Sequence, residues 1–146
     1  MHCQEVMTGN PTCCVPLDTI ARAAKLMRTI GVGALPVCVD RVARRLVGIV
    51  TDRDLVMRAL AAGLDRDDTW VQDVMTLEPC CCHPGDDVEV ALDFMARYQV
   101  RRIPVVGPRE ELLGIISLAD IATRASHANR TAELLRTISR PSAMVA

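Results

Sequence analysis

The feature that most constrains this chain is that it is written twice. With Val6 set against Val74, residues 6–39 and 74–107 match at 13 of 34 positions without a gap, where about two or three would match by chance. Val6-Met7-Thr8 meets Val74-Met75-Thr76, Cys13-Cys14 meets Cys81-Cys82, and Pro36-Val37 meets Pro104-Val105. The offset then drops from 68 to 66, and Gly48-Ile49-Val50-Thr51 meets Gly114-Ile115-Ile116-Ser117, with Asp54 against Asp120. The two missing residues fall in polar segments, Asp40–Arg45 against Gly107–Glu111, where a change of loop length costs little.

Each copy reads as strand, helix, strand, strand, helix. Thr12–Val15 is a short strand. Asp18 is the expected N-cap of a helix to about Ile30, whose apolar face is Ile20, Ala23, Ala24 and Met27, and Gly31 ends it. Leu35–Val39 and Leu46–Val50 are β-rich runs around a polar loop, an antiparallel hairpin, and a helix follows from about Asp52 to Ala62. In the second copy Asp86 is the expected cap of a helix with Val88, Ala91, Leu92 and Met95 on one face. Strands follow at Ile103–Val106 and Leu112–Ile116, and Ser117 with Asp120 has the capping-box form. Ala132, Leu134, Leu135 and Ile138 suggest one more amphipathic helix. These boundaries give a first repeat at 1–65, a second at 66–127, and a C-terminal helix and tail at 128–146.

A βαββα unit of about 60 residues buries too little surface to be stable alone. Two copies packed sheet on sheet about a pseudo-twofold axis solve this, an α/β fold of the α+β sandwich kind, with paired crevices near the junction of each last strand and last helix. Half the residues are hydrophobic but only three are aromatic, so the core is aliphatic. The formal net charge of −1 gives little attraction to nucleic acid, and no apolar run is long enough to span a bilayer. The N-terminus has no secretory pattern, and seven cysteines then point to free thiols in a reducing cytoplasm. His2, His83 and His127 lie far apart, and no nucleophile motif or Gly-rich phosphate loop is present, so an enzyme is not expected.

The two runs Gly48-Ile49-Val50-Thr51-Asp52-Arg53-Asp54 and Gly114-Ile115-Ile116-Ser117-Leu118-Ala119-Asp120 resemble the signature that closes a CBS repeat. Ala34-Leu35-Pro36-Val37 and Arg102-Ile103-Pro104-Val105 resemble its preceding strand. The ordered set, occurring twice over about residues 3–127, is similar to stand-alone CBS pairs (Bateman modules) of the hypoxic-response type. The resemblance implies a non-catalytic regulatory module that binds an adenosyl ligand, such as AMP, ADP, ATP or S-adenosylmethionine, in the inter-repeat cleft, with no required cofactor. It implies that Asp54 and Asp120 accept hydrogen bonds from ribose hydroxyls, as a two-oxygen acceptor suits two adjacent donors. Thr51 and Ser117 stand at helix N-termini suited to phosphate. Arg101 and Arg102, and less directly Arg53, are the phosphate candidates. Val15, Val37, Ala91 and Val105 are the candidate adenine walls. The counterpart of Arg101-Arg102 is Gly33-Ala34, so the two sites are expected to differ. A homodimer and an effector protein are the expected partners.

The cysteines carry a rival reading. Cys80-Cys81-Cys82-His83 lacks zinc-finger spacing, and strand alternation splits it between two faces. Strand adjacency places Cys14 near Cys38, a candidate redox or zinc pair, against the plain reading of small buried strand residues. A redox or zinc-responsive sensor, or a structural dimerisation module without nucleotide, is therefore the alternative function.

Overall fold

A computed structural model describes residues 1–124 and 128–138. Ala125, His127 and residues 139–146 of the expected tail lie outside the described residues. The fold is mixed α/β, with two three-stranded sheets and flanking helices. It divides into two compact units that do not follow chain order.

The unit built on the first repeat comprises Asn10–Pro79 and Pro108–Leu112. Its α2 (Ile20–Ile30) buries Ile20, Ala23 and Met27 of the expected face, whereas Ala24 is exposed. Gly31 ends the helix at φ +70°, in the left-handed region. β2 (Ala34–Cys38) and β3 (Leu46–Thr51) pair antiparallel, Ala34 opposite Thr51. β2 is buried along its whole length. The expected first strand is reduced to one parallel bridge, Cys14 to Val37. β4 (Thr76–Leu77), from the start of the second copy, completes the sheet in the order β2-β3-β4. The closing helix starts as α3 (Asp52–Asp54) and continues as a wider π turn over Leu55–Leu60.

The other unit comprises Met1–Gly9, Cys80–Gly107 and the described residues from Leu113 onward. Here α4 (Val88–Tyr98) buries Val88, Ala91, Leu92 and Met95. β5 (Arg102–Val106) and β6 (Leu112–Ser117) lead to α5 (Leu118–Arg124). The third strand is β1 (Thr8–Gly9), which follows the short α1 (Cys3–Val6) and pairs with β6. The two Met-Thr segments that align in the sequence are thus exchanged. Met7-Thr8 serves the second hairpin and Met75-Thr76 the first. The expectation of repeats at 1–65 and 66–127 follows the order of the chain, whereas each sheet borrows its edge strand from the other stretch. α6 (Ala128–Ile138) adds Leu134 to this unit's core, the extra amphipathic helix that the sequence suggests.

Two caps sit one residue later than expected. Thr19, not Asp18, caps α2 by accepting from the Arg22 N–H, and Asp87, not Asp86, caps α4 by accepting from the Glu89 N–H. The displaced aspartates brace the preceding turns instead. Asp18 accepts from the Val15 N–H at 3.0 Å and Asp86 from the His83 N–H at 2.8 Å, the same bond in both repeats. Asp18 also takes two contacts from Arg41 Nη2 at 2.9 and 3.0 Å.

Candidate functional site

At the end of β3 the chain turns from extended backbone into helix at Thr51. Thr51 Oγ1 accepts from the Asp54 N–H at 3.1 Å, and Asp54 Oδ2 accepts from the Thr51 N–H at 2.9 Å. This reciprocal cap satisfies two of the donors that a helix N-terminus leaves open. Asp54 Oδ1 is left facing Arg58 Nε at 3.7 Å, an ion-pair distance longer than a hydrogen bond. Arg58 in turn donates to the Val74 carbonyl at 3.1 Å. The Asp52 N–H donates to the Gly33 carbonyl at 2.9 Å, which ties the helix head to the start of β2.

The second repeat reproduces the arrangement bond for bond. Asp120 Oδ2 accepts from the Ser117 N–H at 2.8 Å, and Ser117 Oγ accepts from the Asp120 N–H at 3.0 Å. Ser117 Oγ also donates to Asp120 Oδ2 at 2.7 Å. Asp120 Oδ1 faces Arg124 Nη2 at 3.9 Å, and Arg124 Nη1 donates to the Val6 carbonyl at 2.9 Å. The Leu118 N–H donates to the Arg101 carbonyl at 2.9 Å, the position that Gly33 fills in the first repeat. The carboxylates of Asp54 and Asp120 are largely covered, with side chains 13% and 19% exposed. In each, one oxygen is pinned by the cap. The other keeps lone pairs beside a guanidinium, at the positive end of a helix.

The remaining candidates separate. Arg101 is exposed and Arg102 half-buried at the start of β5, within a few residues of the Ser117 cap through the Leu118 bond. Arg53 is exposed, with its N–H donating to Asp52 Oδ1. Val37 and Val105 are fully buried inside their units' cores, as is Ala91. Their side chains pack within those cores. Val15 lines an open depression of about 460 Å³ with Pro16, Leu17, Val39, Asp40 and Arg41. That depression lies beyond the far end of β2 from Thr51. Five residues of strand, about 16 Å, separate the two.

The expected Cys14–Cys38 pair is divided between two clusters. The backbones are adjacent, the Cys38 N–H donating to the Cys14 carbonyl at 2.9 Å, but consecutive side chains face opposite ways. Cys14 enters the main core, where burial pushes its thiol up to about 12. Cys38 shares a smaller cluster with Cys13 and Leu112. Among the described residues no three His, Cys, Asp or Glu side chains converge as a metal site would require, and two sulfurs alone do not fit structural zinc. No helix among the described residues is long and apolar enough to cross a membrane.

Comparison with known proteins accords with this duplicated architecture. The CBS domain family matches residues 3–61 and 71–127. The Bacillus subtilis protein YlbB is 38% identical over 136 residues, covering 93% of this chain and 90% of its own. Hypoxic response protein 1 of Mycobacterium tuberculosis is 36% identical over 119 residues, 82% of this chain and 81% of that one. The crystal structure of Hypoxic Response Protein I, with two coordinated zinc ions, superposes with a TM-score of 0.77 at 35% identity, covering 84% of this chain and 98% of that one. CBSX2 of Arabidopsis thaliana, solved in complex with AMP, superposes with a TM-score of 0.73 at 26% identity over 88% of this chain and 98% of its own. CBS pairs are regulatory ligand-binding modules, and this chain belongs to the CBS domain family and is similar to the hypoxic response proteins.

Proposed function

We propose that this protein is a non-catalytic sensor of an adenosyl ligand, of the class AMP, ADP, ATP or S-adenosylmethionine, working in a reducing cytoplasm. The observation that carries this reading is the doubled cap. Asp54 and Asp120 each spend one carboxylate oxygen on the helix start and hold the other toward an arginine at ion-pair distance. An oxygen held in that way is prepared to accept ribose hydroxyls without unmaking the cap. The AMP complex of a relative with the same fold supports the ligand class.

The two sites are unequal in charge. Arg101 and Arg102 stand beside the Ser117–Asp120 cap, where the first repeat has Gly33 and Ala34. A guanidinium forms charge-assisted, often bidentate, bonds to phosphate. The site of Asp120 should therefore prefer phosphorylated ligands. Calorimetric titration of the whole chain with AMP and with adenosine tests this. AMP binds more tightly than adenosine in the native protein. The Arg101→Met, Arg102→Met double variant loses about tenfold in AMP affinity, the equivalent of one charged hydrogen bond, and leaves adenosine affinity unchanged. Equal losses for both ligands would remove these arginines from phosphate recognition.

The proposed immediate partner is a second copy of this chain. The π turn exposes Val56, Met57 and Leu60 together, and twofold self-association is the commonest way to cover such a face. Light scattering should report a dimer that Leu60→Asp converts to monomer. An unchanged dimer would move the interface elsewhere.

A further inference from the structure

Cys13 and Cys38 meet in a small cluster that the nucleotide proposal does not use. The backbones on either side are locked together, with Cys14 N–H to the Pro36 carbonyl and Cys38 N–H to the Cys14 carbonyl, both at 2.9 Å. This brings the Cys38 side chain into one buried cluster with Cys13. Leu112 and Leu46 close over the pair. Arg44, in the hairpin loop after β2, donates through Nη2 to the Pro11 carbonyl at 2.7 Å, which aims Nη1 at Cys13 Sγ at 3.7 Å. The arginine is itself held at the backbone, its carbonyl accepting from the Leu112 N–H at 2.8 Å. Cys13 is 8% exposed and Cys38 fully buried.

We propose that Cys13 and Cys38 are a peroxide-oxidisable dithiol, Cys13 being the attacking sulfur and Cys38 the resolving one. The Cys13 thiolate attacks a hydroperoxide oxygen. An S–O bond forms, the O–O bond breaks, and water (or an alcohol) leaves once protonated. Cys38 then gives up its proton and attacks the Cys13 sulfur. An S–S bond forms, the S–O bond breaks, and a second water leaves. Two thiols are oxidised by two electrons and one peroxide is reduced.

Electrostatics set the direction. A hydrogen bond from Cys38 lowers the Cys13 thiol to about 6, with Arg44 and Arg41 adding to the shift against burial and the more distant Asp18. Cys38 is raised by the same bond and by burial, with Asp40 on its side and Arg44 opposing. A thiolate beside a guanidinium and next to a protonated thiol is the arrangement of reactive cysteines. The other sulfur pair differs. Cys3 and Cys82 also share a core cluster, but Cys3 Sγ donates to the Asp87 carbonyl at 3.8 Å, both cysteines are fully buried, and their neighbouring charges are Asp86 and Asp87. Carboxylates oppose a thiolate, so that pair should react later.

The test uses the full chain, treated with chelator and reductant and then with stoichiometric hydrogen peroxide. Two of the seven thiols should disappear, with a mass loss of about 2 Da. Tandem fragmentation of the linked peptides from a non-reducing tryptic digest should place the bond between Cys13, rather than Cys3 or Cys14 of the same peptide, and Cys38. At pH 7, iodoacetamide should label Cys13 at least about tenfold faster than Cys14. Arg44→Met should slow Cys13 labelling about threefold or more and move the midpoint of its pH profile upward, and Arg44→Lys should restore it. Cys38→Ser should leave a Cys13 sulfenic acid that dimedone captures. A first disulfide between Cys3 and Cys82 or between two chains would overturn the proposal. So would Cys13 labelling no faster than Cys14, or a pH profile that Arg44→Met leaves in place.

Discussion

Replacing Asp120 by alanine should weaken AMP binding by about ten- to a hundredfold, the value of a hydrogen bond to a charged acceptor. The same side chain has a structural duty, since its Oδ2 takes the Ser117 N–H and the Ser117 hydroxyl. Loss of a cap of this kind costs about 0.5–2 kcal/mol. Alanine therefore changes two quantities at once, and Asp120→Asn separates them. An asparagine carbonyl still accepts from the Ser117 N–H, but the carboxylate charge that faces Arg124 and would face a ribose is gone. Asp120→Asn should bind AMP nearly as poorly as Asp120→Ala while unfolding closer to the native midpoint in urea. Calorimetry for affinity and denaturant melts for stability read the two effects. AMP affinity unchanged in both variants would leave Asp120 as a helix cap and nothing more.

Gly114→Ala should cost about 1–3 kcal/mol of stability. A Cβ at Gly114 would meet Met7 Sδ, and it would stand 2.9 Å from the Thr8 carbonyl oxygen. The sulfur tip can move, but the carbonyl belongs to β1, which pairs with β6 at this point. Gly48 is the same case, with Met75 Sδ and the Thr76 carbonyl both 2.8 Å from an added Cβ. The control is Gly9, the Cα partner of Gly114 across the same strand pair. A Cβ there meets nothing within 4 Å, so Gly9→Ala should change stability by no more than about 0.5 kcal/mol. Urea melts of the three variants decide the matter. If Gly114→Ala were as mild as Gly9→Ala, the close strand crossing would not be what demands glycine.

These glycines open both signature runs, and their explanation was only half legible in the sequence. Alignment of Gly48 with Gly114 showed that something is repeated at that place. What it is depends on an edge strand two residues long, and Thr8-Gly9 or Thr76-Leu77 carries no periodicity to read. Longer elements fared better. The stripe of Ile20, Ala23 and Met27 and its copy at Val88, Ala91 and Met95 specify both buried helix faces, and the apolar runs at Leu46–Val50 and Leu112–Ile116 mark β3 and β6 as strands. The caps slipped by one because Asp18-Thr19 and Asp86-Asp87 each offer two adjacent capping side chains. The choice is made by the turn before them, where the aspartate is drawn to Val15 or His83. At the candidate site, the cap residues Thr51, Asp54, Ser117 and Asp120 stand in the same local geometry because their partners are three residues away. Val37 and Val105 pack into the two cores, and a strand reading cannot say which of its two faces meets a helix. The expected sulfur pair divides for the same reason, one residue's shift turning Cys14 inward and Cys13 toward Cys38.

The exchanged edge strands bear on how such a molecule can be divided. Cutting the polypeptide at residue 65 yields two fragments of equal pedigree, yet neither contains all of its own sheet. The first lacks Thr76-Leu77 and the second lacks Thr8-Gly9. Mixed in solution, the halves would each supply the missing ribbon to the other. A single ancestral copy, before duplication, would have found that ribbon only in a neighbouring molecule or by folding its own leader back upon itself.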